Sequence, residues 1–125
     1  MNKIKIIVME DDEPIKHVIK EFLQMNDYEV HLPSSIADLI EHLEEINPDM
    51  LITDILMPDI DGIEVMLLCK QFKPDIYIIA ISGGGRIDAE HYLRLATELG
   101  ANAILRKPFT VNELLKSIEK VLGEK

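Results

Sequence analysis

The chain has 125 residues, 47% of them apolar, which is enough for one compact core and too short for two ordinary domains, so a single domain over residues 1–125 is expected. Its 13 Lys and Arg against 23 Asp and Glu leave a formal charge of −10, which repels phosphate backbones and anionic lipid and argues against nucleic acid or a membrane as a direct partner. One cysteine, Cys69, excludes an internal disulfide, and with no signal core and no run of membrane length the expected compartment is the cytoplasm.

The first apolar run, IKIIVM at 4–9, has strand length and leads straight into EDDEP. Asp12 or Glu13 can cap a following helix with Pro14 in its first turn, while Glu10 and Asp11 stand ahead of it as candidate ligands. Ile15, Val18, Ile19, Phe22 and Leu23 then have helical spacing. The second strand, YEVHL at 28–32, ends in Leu32-Pro33 and offers no reactive group, and Ile36, Leu39, Ile40 and Leu43 mark the second helix. The third strand, MLIT at 50–53, is followed by Asp54 and then by MPDIDG, a turn by composition in which Asp59 and Asp61 are expected as turn formers or solvated acids.

Val65, Leu68, Cys69 and Phe72 mark a third helix and put Cys69 in an apolar run, as a buried structural thiol. After IYIIAI at 76–81 comes Ser82 with three glycines, either a plain flexible loop or a phosphate cradle, without the spacing of a dinucleotide or P-loop motif. Tyr92, Leu95, Ala96 and Leu99 give the fourth helix, and ANAIL at 101–105 gives the fifth strand, followed by Arg106-Lys107-Pro108. The last helix, with Val111, Leu114, Leu115, Ile118 and Leu122, is preceded by Thr110 with Glu113 three residues on, a capping box. His17, His31, His42 and His91 show no metal-ligand spacing.

Five alternating β/α units, four of whose strands read as buried on both faces, predict a doubly wound α/β fold with a five-stranded parallel sheet. Sites in such sheets form beyond the carboxyl ends of the strands. Glu10, Asp11, Asp54, Ser82 and Lys107 are all expected there, just after strands one, three, four and five. Converging carboxylates raise one another's pKa unless a cation sits among them, and oxygen-only ligands suit a hard ion such as Mg²⁺. A carboxylate beside that ion can act as nucleophile toward a phosphoryl group, with Lys107 and the Ser82 hydroxyl stabilising its oxygens. Asp54, arriving singly from the middle of the sheet, is the expected nucleophile.

Taken together, IIVMEDDEPI, LITDILMPDIDG, IIAISG and GANAILRKPF arrive in the order of a response-regulator receiver domain of bacterial two-component signalling, and the chain resembles that family along essentially its whole length. The resemblance implies a flavodoxin-like (βα)5 fold with strand order 2-1-3-4-5. By position it implies Glu10 and Asp11 as the acidic metal pair, Asp54 as phosphoacceptor, the Leu56 backbone carbonyl as a further Mg²⁺ ligand, Ser82 as the switch hydroxyl and Lys107 as the phosphoryl-contacting lysine, ahead of a cis bond to Pro108. The implied partners are a sensor histidine kinase or histidine phosphotransfer protein as donor and, since the chain stops soon after its fifth helix, a separate effector or a relay stage downstream. Phosphorylation is then expected to shift the segment between the fourth strand and the fourth helix, and to alter the face made by the fourth helix, fifth strand and fifth helix.

The sequence departs from the family's pattern at a few places. Ile104 stands where an aromatic switch residue is common, which argues against an aromatic rotamer switch. The glycine run implies a mobile loop at 83–88. Leu56 and Gly84, two residues beyond Asp54 and Ser82, cannot position water by side-chain hydrogen bonding, so slow autohydrolysis is expected. Two rival classes are a haloacid-dehalogenase-type phosphatase, whose Asp-x-Asp motif after the first strand is missing here, and a receiver-like binding module acting without phosphorylation, against which the full residue set argues.

Overall fold

The computed structural model describes residues 3–83 and 89–123. In chain order the elements are β1 (Lys5–Met9), α1 (Glu13–Met25), β2 (Glu29–His31), α2 (Ile36–Ile46), β3 (Met50–Asp54), α3 (Gly62–Phe72), β4 (Tyr77–Gly83), α4 (Ala89–Glu98), β5 (Ala103–Lys107) and α5 (Val111–Gly123). The strands form one parallel sheet in the order β2-β1-β3-β4-β5, as the sequence leads one to expect.

Alternate strand residues feed opposite faces of the sheet. Ile7, Met9, Leu51, Ile78 and Ala80 pack with Leu39, Leu43, Val65, Met66, Cys69, Leu93 and Ala96 of α2, α3 and α4. Ile6, Val8, Met50, Ile52, Ile79 and Ile81 pack with Ile19, Leu23, Leu114, Ile118 and Val121 of α1 and α5. β1, β3 and β4 are thus buried almost throughout, but β2 and β5 are edge strands with one strand neighbour each and stay partly exposed, so three strands rather than four are doubly buried. Val18 and Phe72, which share the helical spacing of their neighbours, lie at the margins of their faces and are about half exposed.

Local chemistry fixes the ends of the elements. Asp12 caps α1, its Oδ1 accepting from the Ile15 amide at 3.1 Å, and Ser35 and Asp61 cap α2 and α3 in the same way. At α5 the capping box closes in both directions, from the Glu113 amide to Thr110 Oγ1 at 3.0 Å and from the Thr110 amide to Glu113 Oε1 at 3.1 Å. At the amino edge of the sheet, Asp49 and Asn102 use side chain and backbone together as an extra rung. Asp49 Oδ2 accepts from the Lys5 amide at 2.8 Å, and Asn102 Oδ1 accepts from the Ile78 amide at the same distance. The carboxyl edge therefore remains as the end of the sheet where reactive side chains gather.

Candidate functional site at the carboxyl edge of the sheet

Asp54, Ser82 and Lys107 are the last or next-to-last residues of their strands, where the sequence places them just beyond. The parallel ladder runs on past the apolar residues because backbone pairing is indifferent to side-chain polarity. Asp54 is paired with Ile81, Ser82 with Arg106 and Gly83 with Lys107. Glu10 follows Met9, which pairs with Thr53, so Glu10 falls level with Asp54, and Ser82 and Lys107 continue from it as a staggered row, each one residue further along its strand than the partner of the one before.

The Lys107 ammonium donates to Asp54 Oδ2 at 2.8 Å and lies 2.9 Å from Glu10 Oε1. Asp54 Oδ1 accepts from the Leu56 amide at 3.1 Å, and Glu10 Oε2 accepts from the Asp12 amide at 3.1 Å. Glu10 and Asp54 are buried and Asp11 is exposed, and each of the three offers a carboxylate oxygen within 4.8 Å of the others. Beside them opens a groove of about 380 Å³ lined by Asp11, Glu13, Ser34 and Met57 among others. Burial pushes the Glu10 carboxyl above the ordinary Glu range, with Lys107 and the Asp12 amide holding part of that rise back. Burial pulls on Lys107 in the opposite sense, but its contacts with Asp54 and Glu10 prevail and hold the ammonium above its usual value.

Ser82 sits in the row with its Oγ fully buried and without a hydrogen-bond partner among the described residues. An orphaned buried hydroxyl costs free energy unless something accepts from it, which is a mark of a site built for a further group. The carboxylate trio, oxygen-only and carrying more negative charge than Lys107 offsets, fits a hard divalent cation such as Mg²⁺. The Lys107-Pro108 bond is cis.

One other feature escapes a reading by composition. Gly62, at the first position of α3, lies so close to the end of β3 that a Cβ there would come within 2.2 Å of the Asp54 carbonyl oxygen and 2.5 Å of Ile55 Cα. MPDIDG is therefore a turn whose glycine is required by close approach, and Asp61, its helix cap, is structural. Cys69 is buried in the core beneath α3. The expectations for Gly84, Gly85 and the loop at 84–88 fall outside the described residues.

The carboxyl edge of this doubly wound sheet gathers a lysine and three carboxylates, and comparison with known proteins gives the class. Residues 6–119 match the response regulator receiver domain family. The chain is 32% identical over 122 residues to the alkaline phosphatase synthesis transcriptional regulatory protein PhoP of Bacillus subtilis, covering 98% of this chain and 49% of that protein. It is 30% identical over 123 residues to the DNA-binding transcriptional regulator NtrC of Azospirillum brasilense, covering 98% of this chain and 25% of that protein. The chain thus spans half or less of the length of these relatives. Among solved structures, a receiver domain protein from Clostridium thermocellum superposes with a TM-score of 0.82 at 32% identity, over 96% of this chain and 94% of that one. The chain belongs to the response regulator receiver domain family, whose members are the phosphoacceptors of two-component signalling.

Proposed function

We propose that Asp54 accepts a phosphoryl group from the phosphohistidine of a sensor histidine kinase or histidine phosphotransfer protein. The observation that carries this reading is Lys107, an ammonium 2.8 Å from Asp54 and 2.9 Å from Glu10 on the row that ends the sheet. An Asp54 carboxylate oxygen forms the new bond to phosphorus as the phosphorus–nitrogen bond breaks, and the departing imidazole keeps the electron pair and takes a proton from solvent. Lys107 turns from its carboxylate partners to the incoming phosphoryl oxygens, and the orphaned Ser82 hydroxyl donates to one of them. The Leu56 amide, already on Asp54 Oδ1, fixes the carboxylate's orientation.

Glu10, Asp11, Asp54 and the Leu56 carbonyl are the residues assigned to Mg²⁺, which when bound neutralises the crowded acids and the phosphoryl charge. The donor docks over the apolar groove of about 470 Å³ lined by Ile15, Val18, Lys107, Pro108 and Phe109, since Lys107 belongs to both groove and site. Output passes through the segment after β4 to the α4, β5 and α5 face, where a bidentate pair between Arg106 and Glu90 ties α4 to β5, and on to an effector. Cytoplasmic location belongs to the same reading. Among the described residues no helix is long and apolar enough to cross a membrane.

Intact mass after incubation with acetyl phosphate and Mg²⁺ is the test. One added phosphoryl group is expected, lost on Asp54→Asn and in EDTA. If no mass is gained and neither beryllofluoride nor Mg²⁺ binds, the reading gives way to a binding module independent of phosphorylation.

A further inference from the structure

On the far side of β1 from the phosphoryl row, the edge strand β2 and its neighbour α2 bring two histidines together. His31 of β2 and His42 of α2 stand 11 residues apart in the sequence, and the packing of α2 on the sheet sets their ring centres 5.5 Å apart at an interplanar angle of 69°. Each ring has one nitrogen engaged by an acceptor. His31 Nε2 lies 2.6 Å from Glu29 Oε2, and His42 Nδ1 lies 2.8 Å from the Asp38 carbonyl oxygen with Asp38 Oδ1 at 3.3 Å. A carbonyl oxygen cannot donate and an ionised carboxylate cannot either, so whenever a ring carries a single N–H, the engaged nitrogen is the one that bears it. The hydrogen bond to His31 holds the Glu29 carboxyl below its ordinary value, which keeps it in the ionised, accepting form. The lone pairs are left on His31 Nδ1 and His42 Nε2.

Bracing one imidazole nitrogen against a carboxylate or a backbone carbonyl, so that the other is free and oriented, is how proteins prepare histidine as a metal ligand. Two imidazoles on a single tetrahedral ion, with metal–nitrogen bonds of about 2 Å, have ring centres about 5 Å apart, close to the separation here. We propose that His31 and His42 form a two-imidazole site for a borderline divalent transition-metal ion such as Zn²⁺, clamping the sheet edge at β2 to α2. The donor set is opposite in kind to the carboxylate trio, so the two sites select different ions: imidazole for Zn²⁺, Ni²⁺ or Cu²⁺, oxygen for Mg²⁺. Among the described residues only Glu10, Asp11 and Asp54 bring three ligating groups within mutual reach, so at the histidine pair water completes the coordination shell. The side chains are 24% and 27% exposed, open enough for an ion to enter.

The test is a Zn²⁺ titration of the full chain by calorimetry with Mg²⁺ in large excess, alongside the long-range ¹⁵N spectrum of the four histidines. One Zn²⁺ is expected to bind, with the resonances of His31 Nδ1 and His42 Nε2 moving and those of His17 and His91 still. His31→Gln and His42→Gln should each weaken binding by at least about tenfold, and Glu29→Gln, which removes a brace, by about tenfold. Each variant's thermal melt without metal establishes that it is folded, and the histidine resonances of the native chain decide the question should a variant fail to fold. No binding at millimolar Zn²⁺, equal affinity in the histidine variants, or movement confined to His17 or His91 overturns the proposal. So does Zn²⁺ binding that disappears in Asp11→Asn and survives in both histidine variants.

Discussion

Lys107 sets one positive charge against the three carboxylates of Glu10, Asp11 and Asp54, and the balance is sensitive to pH. Glu10, raised by burial, binds its proton more tightly in the native state than in the unfolded chain. Its contribution to stability is complete below the unfolded value of 4.5 and is lost as pH rises through the raised native value. The Lys107 contribution is complete below 10.5 and lost only as pH rises through its own raised value, so it persists across the neutral range. Replacing Lys107→Met leaves two buried acids without their cation and should cost about 1–3 kcal/mol at pH 7 in the absence of metal, discounted for the partial exposure of the ammonium. Near pH 4.5 Glu10, its value raised by burial, takes up its proton and the loss should shrink. Urea melts at both pH values measure it, and an equal loss at each contradicts the account. Mg²⁺ affinity should likewise fall on mild acidification, as the Glu10 proton competes with the ion.

At the scale of elements, the junction between β3 and α3 is the most constrained. Gly62→Ala pushes a Cβ against the backbone of Asp54 and Ile55, which cannot yield as a flexible side chain would, and should cost about 1–3 kcal/mol or more while lowering the yield of phosphorylation. Gly123→Ala, with open space around it, should change stability by less than about 0.5 kcal/mol and serves as the control in the same thermal melts. Inside α3, burial pushes the Cys69 thiol up to about 12, so a thiol reagent such as Ellman's should react with it only in denaturant. Rapid reaction in native buffer would contradict its placement in the core.

Much of this was legible in the sequence, because hydrophobic period, caps and turn residues are local. The Thr110/Glu113 box, the Cys69 environment and the gathering of Glu10, Asp54 and Lys107 at the sheet edge follow from neighbours in sequence joined to one topology. The exposure of β5, the closeness of Gly62 to Asp54 and the meeting of His31 with His42 depend on how distant segments pack, which no spacing rule encodes.

For the whole molecule, the charge of −10 makes cations the natural stabilising ligands. Mg²⁺ at a hundred times its dissociation constant should add about 2.7 kcal/mol, visible as a rise of several degrees in Tm. The rise should be absent in Asp11→Asn, and an unchanged rise in that variant would point to general screening of the surface. The sheet also parts the interior into two apolar compartments, one under α2, α3 and α4 and the other under α1 and α5. Substitutions on opposite sides of a sheet share few neighbours and tend to combine additively. Sequence drift can therefore explore one compartment while the other holds the fold, so the packing under α2, α3 and α4 and the packing under α1 and α5 can diversify on separate schedules within one scaffold.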